Sequence, residues 1–151
     1  MTGVRVTVTG VERLKGKFRQ IPIDANNLIG KAIATSALEV QSHAQRSIQR
    51  APRGGEPYVR YAPRREGVAS APGETPATDT GRLVSSVFAQ IQPLSAEVGT
   101  DVDYGTHLEF GTVKMGARPW LHPAFEALKK RIRERILRAA EAANRRAAGK
   151  K

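Results

Sequence analysis

Cysteine is absent from the 151 residues, which excludes disulfides and thiolate metal sites and suits a protein assembled in a reducing cytoplasm. Stability must then come from packing or assembly. No apolar run approaches the roughly 20 residues that a membrane span requires. Residues 1–10 alternate polar and apolar side chains and lack the apolar core of a secretory leader, so a soluble protein is expected. Aromatic residues make up 5% of the chain, and none lies in the basic stretch near its end. The stacking platform of a single-strand nucleic-acid binder is therefore missing there. Acidic residues are also short, with 14 Asp and Glu against 25 Lys and Arg.

The resulting net charge of +11 and pI near 10.7 point toward an acidic partner, either nucleic acid or an acidic protein surface. The basicity is local. Lys129, Lys130, Arg131, Arg133, Arg135, Arg138, Arg145, Arg146, Lys150 and Lys151 face only Glu134 and Glu141. The length suits one domain with a modest core, read here as residues 1–151.

Val4, Val6 and Val8 alternate with Arg5, Thr7 and Thr9, which predicts a strand over about residues 3–9 ended by Gly10. After a connection containing Leu14 and Phe18, Asp24 can cap a long amphipathic helix. Leu28, Ile29, Ala32, Ile33, Ala37, Val40, Ala44 and Ile48 recur on its apolar face. Pro52 and Gly54-Gly55 stop it near Arg50. Residues 51–78 then change character: nine prolines and glycines break any helix, while Tyr58, Val59 and Tyr61 suggest a short extended piece. A loop of that length predicts either an extended functional arm or a solvated linker. Its Arg53, Tyr58, Val59, Arg60, Tyr61, Arg64 and Arg65 are the candidate interface residues, able to add a strand to a neighbour or pair with its carboxylates.

Asp79 or Thr80 can cap a short helix through Ser86. Residues 87–92 and 96–100 read as an antiparallel hairpin turning at 93–95. Residues 104–110 suit a helical turn ended by Gly111. From Pro123, the recurrence of Phe125, Leu128, Ile132, Ile136, Ala139, Ala143 and Ala147 predicts a second long amphipathic helix. Its apolar side chains shrink to alanine, so residues 141–151 are expected to form a basic, frayed tail. The fold class is α+β, with two long amphipathic helices packed on a small antiparallel sheet.

Little in the chain suggests catalysis. His43, His107 and His122 make no metal-ligand pattern. Asp101 and Asp103 fit a paired-carboxylate strand and an aspartate-rich turn equally well. Neither a phosphate-binding glycine loop nor a hydrolase elbow around Ser85, Ser86 or Ser95 is present. No enzyme activity, metal or cofactor is expected. Trp120, in the rigid Arg118-Pro119-Trp120-Leu121-His122-Pro123 run, is expected to pack in the core.

Three clusters remain: Pro72-Gly73-Glu74-Thr75-Pro76-Ala77-Thr78-Asp79-Thr80-Gly81-Arg82-Leu83, then Leu108-Glu109-Phe110-Gly111-Thr112, then Ala117-Arg118-Pro119-Trp120-Leu121-His122-Pro123-Ala124. In that order, behind a long amphipathic helix, they resemble the tail-component family of long-tailed bacteriophages, the neck and tail-completion proteins. Asp79, Gly81, Arg82, Glu109, Gly111, Arg118, Pro119 and Trp120 are the candidate structural residues of these motifs. Gly81 and Gly111 would supply backbone freedom at element ends, and Glu109 with Arg118 would form an ion pair pinning two motifs together.

The resemblance implies a virion protein, assembled in the bacterial host cytoplasm, that forms a ring of six copies at the head–tail junction or tail end. Its neighbours would be neck and tail-tube proteins. Packaged double-stranded DNA would pass through without sequence-specific binding, and no membrane would be involved. The competing expectation is a basic nucleic-acid-binding protein whose C-terminal helix and loop arginines neutralise phosphates.

Overall fold

A computed structural model of the chain describes residues 5–7, 23–61 and 63–148. Its elements are β1 (Arg5–Thr7), α1 (Ile23–Gln49), β2 (Pro57–Tyr61), β3 (Arg64–Val68), α2 (Arg82–Ser86), β4 (Val87–Gln92), β5 (Ser95–Thr100), α3 (Tyr104–Phe110) and α4 (Leu121–Ala148). The architecture is α+β: a three-stranded antiparallel sheet of order β1-β5-β4 carries α1, α4 packs along α1, and β2-β3 form a separate two-stranded sheet. Val4, Val8, Leu14, Phe18, Lys150 and Lys151 lie outside the described residues.

β4 and β5 pair from Val87↔Thr100 to Gln92↔Ser95, which places the two-residue turn at Pro93-Leu94. α1 packs on this hairpin and along α4. Its stripe of Ile29, Ala32, Ala37, Val40, Ala44 and Ile48 is buried, as the helical spacing predicts. Ile33 is only half-buried. Val40, Ala44 and Ile48 meet Leu83, Val87, Val98, Val102, Trp120, Leu121 and Ala124 in one core, against which Phe125, Leu128 and Ile132 of α4 pack in part. Two glutamines on α1 cross to the sheet: Gln41 Nε2 donates to the Val87 carbonyl (2.8 Å) and Gln45 Nε2 to that of Val84 (3.1 Å). They satisfy carbonyls where α2 passes into β4, outside regular hydrogen bonding.

Several boundaries differ from the sequence reading. α1 begins one residue before Asp24, so that residue falls inside the first turn. α4 begins at Leu121, two residues before the proline, because a buried carboxylate caps it from elsewhere in the chain. Residues 141–148 of the expected basic tail are helical. α4 continues through Ala148 and buries Ala143 to 1% exposure; alanine is small enough for close approach of a neighbouring backbone.

The largest correction concerns residues 51–78. Instead of an arm without regular structure, the segment forms a hairpin pairing Pro57↔Val68 through Tyr61↔Arg64. The hairpin stands on a base tied to the body. The Gly55 N–H donates to the Ala69 carbonyl (2.9 Å) and the Gly73 N–H to that of Ala117 (2.8 Å), while a Glu74 carboxylate oxygen accepts from the N–H groups of Gly54 and Ala71. The prolines sit at the strand start and in the flanking turns, where no ladder donor is needed.

Candidate functional site

The second and third motifs fold into one buried junction. α3 ends where Gly111 adopts φ 76°, a conformation that favours glycine, and returns its N–H to the His107 carbonyl at 2.9 Å. A Cβ at Gly111 would also fall 2.9 Å from the Met115 carbonyl oxygen, so both conformation and space require glycine there. The chain reverses through Thr112 and Met115, and the Arg118 N–H donates to the Leu108 carbonyl (2.6 Å), laying the third motif alongside α3. Trp120 is fully buried and donates its indole N–H to the Gly105 carbonyl at 3.2 Å.

Glu109 organises this junction. Buried to 6% exposure, it accepts hydrogen bonds from the backbone N–H groups of Trp120 (2.8 Å) and Leu121 (2.9 Å) on one oxygen and of His122 (2.9 Å) on the other. The first amides of a helix have no partner within it, and the positive end of the helix dipole favours a carboxylate. The expected Glu109–Arg118 ion pair is therefore not formed. The carboxylate is taken up by the start of α4, and Arg118 turns the other way to donate Nε to the Ser70 carbonyl at 2.9 Å. Pro119, which follows Arg118, is half-buried.

Arg118 thereby joins the junction to the first motif. Ser70 is itself buried, and its hydroxyl accepts from the Ala77 N–H. Asp79 does not cap α2. Gly81, at φ 76°, holds that position without a side-chain cap. The Asp79 carboxylate reaches the hairpin instead, 3.0 Å from Arg60 and 3.9 Å from Arg65. Thr80 Oγ1 accepts from the Arg82 N–H at 3.3 Å. The Arg82 side chain, exposed, makes no hydrogen bond or ion pair among the described residues.

The candidate interface residues lie on or beside the hairpin, but not all are equally free. Tyr61 and Val59 are exposed at 81% and 46%, while Tyr58 is half-buried with the Arg60 guanidinium over its ring. Arg64 pairs with Glu66 at 2.6 Å. Arg53 spends its guanidinium on the Thr78 (3.0 Å) and Val68 (3.5 Å) carbonyls, bracing the hairpin base.

A second polar cluster, with no signal in the sequence, fastens α1 to α4. Glu39 accepts from Arg135 (2.6 Å) and lies 2.7 Å from Arg131, and Arg135 also donates to the buried Ser36 hydroxyl at 2.9 Å. Arg131 is largely exposed, so its share of the attraction is small. Lys130, Arg133, Arg145 and Arg146 remain exposed on α4 without such partners among the described residues.

His43 lies 3.4 Å from the Ser47 hydroxyl, and His107 and His122 are exposed. Asp101 and Asp103 are exposed in the turn before α3. Among the described residues no group of three His, Cys, Asp or Glu is placed to hold a metal ion, and no helix is long and apolar enough to cross a membrane. Burial raises the Tyr104 phenol above the ordinary tyrosine value of 10.0, partly offset by the nearby Arg82 guanidinium. Comparison with protein-family models, curated proteins and solved structures finds no match.

Proposed function

We propose that the chain is a structural virion protein of a tailed bacteriophage, a ring subunit that joins neck to tail tube around the genome channel. The reading starts from the three motifs that resemble the tail-component family. It is supported by one observation: these motifs, separated in sequence, interlock through Glu109, Arg118 and the Ala117 carbonyl into a single scaffold. The Glu109 and Arg118 side chains are spent on backbone groups, as in a load-carrying joint. That scaffold holds out a hairpin whose exposed Val59 and Tyr61 offer an edge to an adjacent subunit. Six copies are expected from the sixfold tail.

Electron microscopy of particles made without the protein tests the reading. Filled heads lacking tails, together with free tails, are the expected result; intact infectious particles would overturn it. The competing reading, a nucleic-acid-binding protein, is favoured by the exposed Lys130, Arg133, Arg145 and Arg146 on α4. It requires tight, steeply salt-dependent duplex binding by the isolated subunit, whereas a ring protein binds duplex weakly.

A further inference from the structure

A cleft of about 500 Å³ opens between the β2-β3 hairpin, residues 76–82 and α3. Its charge is one-sided. Arg53, Arg60, Arg82 and Arg118 line it, with Asp79 the only carboxylate among the lining residues. Hydrogen bonds orient Arg53 and Arg118 without neutralising them, and Asp79 pairs with Arg60. Arg53 donates only to carbonyls, and Arg118 uses only Nε, leaving its two terminal nitrogens without a protein acceptor among the described residues. The Arg82 side chain makes no hydrogen bond or ion pair among them and lies near the Tyr104 phenol, an uncharged group. A carbonyl carries no net charge, so the positive potential of the cleft persists.

The lining also holds apolar side chains: Ile48 and Leu83 are buried, Leu108 is half-buried and Tyr104 is exposed. Asp79 shows the kind of group these arginines hold, since its carboxylate lies 3.0 Å from Arg60. We propose that this cleft binds an acidic peptide segment of a partner protein, with a carboxylate on Arg82 and the free terminal nitrogens of Arg118 and an apolar side chain against Leu83 and Leu108. The partner's place in a virion rests on the assembly reading above; the chemistry of the cleft does not. Duplex nucleic acid fits it poorly, because phosphates lie on a convex rod and bring no apolar side chain to Leu83 and Leu108. A second copy of this chain, itself strongly basic, would be repelled by the arginine rim.

Fluorescence anisotropy with a labelled hexapeptide, Glu-Asp-Leu-Glu-Asp-Phe, added to the full-length protein tests the proposal. Saturable binding is expected, weakened roughly tenfold or more by Arg82→Glu or by Arg118→Gln, since each removes a charge-assisted hydrogen bond. The Arg82 side chain is exposed and makes no hydrogen bond or ion pair among the described residues, so its variant is expected to keep the fold even if the Arg118 change loosens the hairpin base. Lys130→Glu with Arg133→Glu on α4 should leave the affinity within about twofold. An equal loss in that variant would reduce the binding to general attraction between opposite charges and overturn the proposal. So would no binding, binding of hexaglutamate as tight as that of the mixed peptide, or displacement by a short DNA duplex at equal concentration. Any of these failures leaves the phenotype of particles lacking the protein unchanged, so the two readings fail separately.

Discussion

The junction around Trp120 and the β2-β3 hairpin are neighbours held by opposite means. At the junction a fully buried indole and a buried carboxylate have every described hydrogen bond directed at backbone groups. In the hairpin most residues of the two strands are exposed and none is buried, and its ties to the body include Asp79 with two arginines, Arg53 on two carbonyls, and the backbone bonds at its base. Burial makes the first region all-or-none, because removing one partner strands others away from water. Surface charge pairs make the second region detachable in part, because water replaces what is lost. The scaffold should thus open only as a unit, whereas the hairpin can lose its ties one at a time.

Trp120→Ala should break the junction most severely. The cavity and the lost indole hydrogen bond should cost about 3–5 kcal/mol, read as the shift of a urea or thermal midpoint for the whole molecule. A loss under 1 kcal/mol by this measure would mean the junction is not the keystone of the core.

Glu109→Ala comes next. It leaves three amides at the start of α4 without an acceptor, at an expected cost of about 2–3 kcal/mol. Hydrogen exchange should show faster exchange at Trp120, Leu121 and His122 before it does so elsewhere. Unchanged protection at those three amides would show that another group caps the helix.

Asp79→Asn sharpens the contrast from the other side. Global stability should fall by less than about 1 kcal/mol, yet trypsin should cut at Arg60, Arg64 or Arg65 several-fold faster than in the unmodified protein, because the hairpin loses its charged tie. Equal cleavage rates would place the tie in the backbone bonds at Gly55 and Gly73 alone.

The smallest effect belongs to Tyr104. Because its folded phenol titrates above the unfolded value, any contribution it makes to stability is fully present below pH 10.0 and is lost as pH rises through the folded value. An ultraviolet titration should resolve a tyrosine above 10.0 that disappears in Tyr104→Phe and moves higher still in Arg82→Gln, which removes the opposing positive charge. A Tyr104 titration unaffected by Arg82→Gln would separate the two groups.

Period and punctuation made the two long helices, the β4-β5 hairpin and the short α3 legible, since each buries one face and ends at glycine or proline. The hairpin of residues 57–68 was half-visible. Tyr58, Val59 and Tyr61 suggested an extended piece, but Arg64, Arg65 and Glu66 have no apolar alternation because the strand they form is exposed on both faces. The cleft was invisible. Its arginines are scattered over residues 53–118 and meet only when the hairpin folds down over α3.

Glu109 and Arg118 illustrate the division most clearly. Local sequence determined that Glu109 sits at an element end just before Gly111, that Arg118 stands beside a rigid proline and a tryptophan, and that the protein is α+β with two amphipathic helices. Only the tertiary structure decided that they would not pair. The unsatisfied amides at the start of α4 present three donors to one carboxylate in a buried site, and the Ser70 carbonyl, 48 residues before Arg118 in the chain, lies within reach of its guanidinium. A hydrogen bond buried away from water depends on which groups the fold brings within about 3 Å, and no pattern confined to neighbouring residues records that distance.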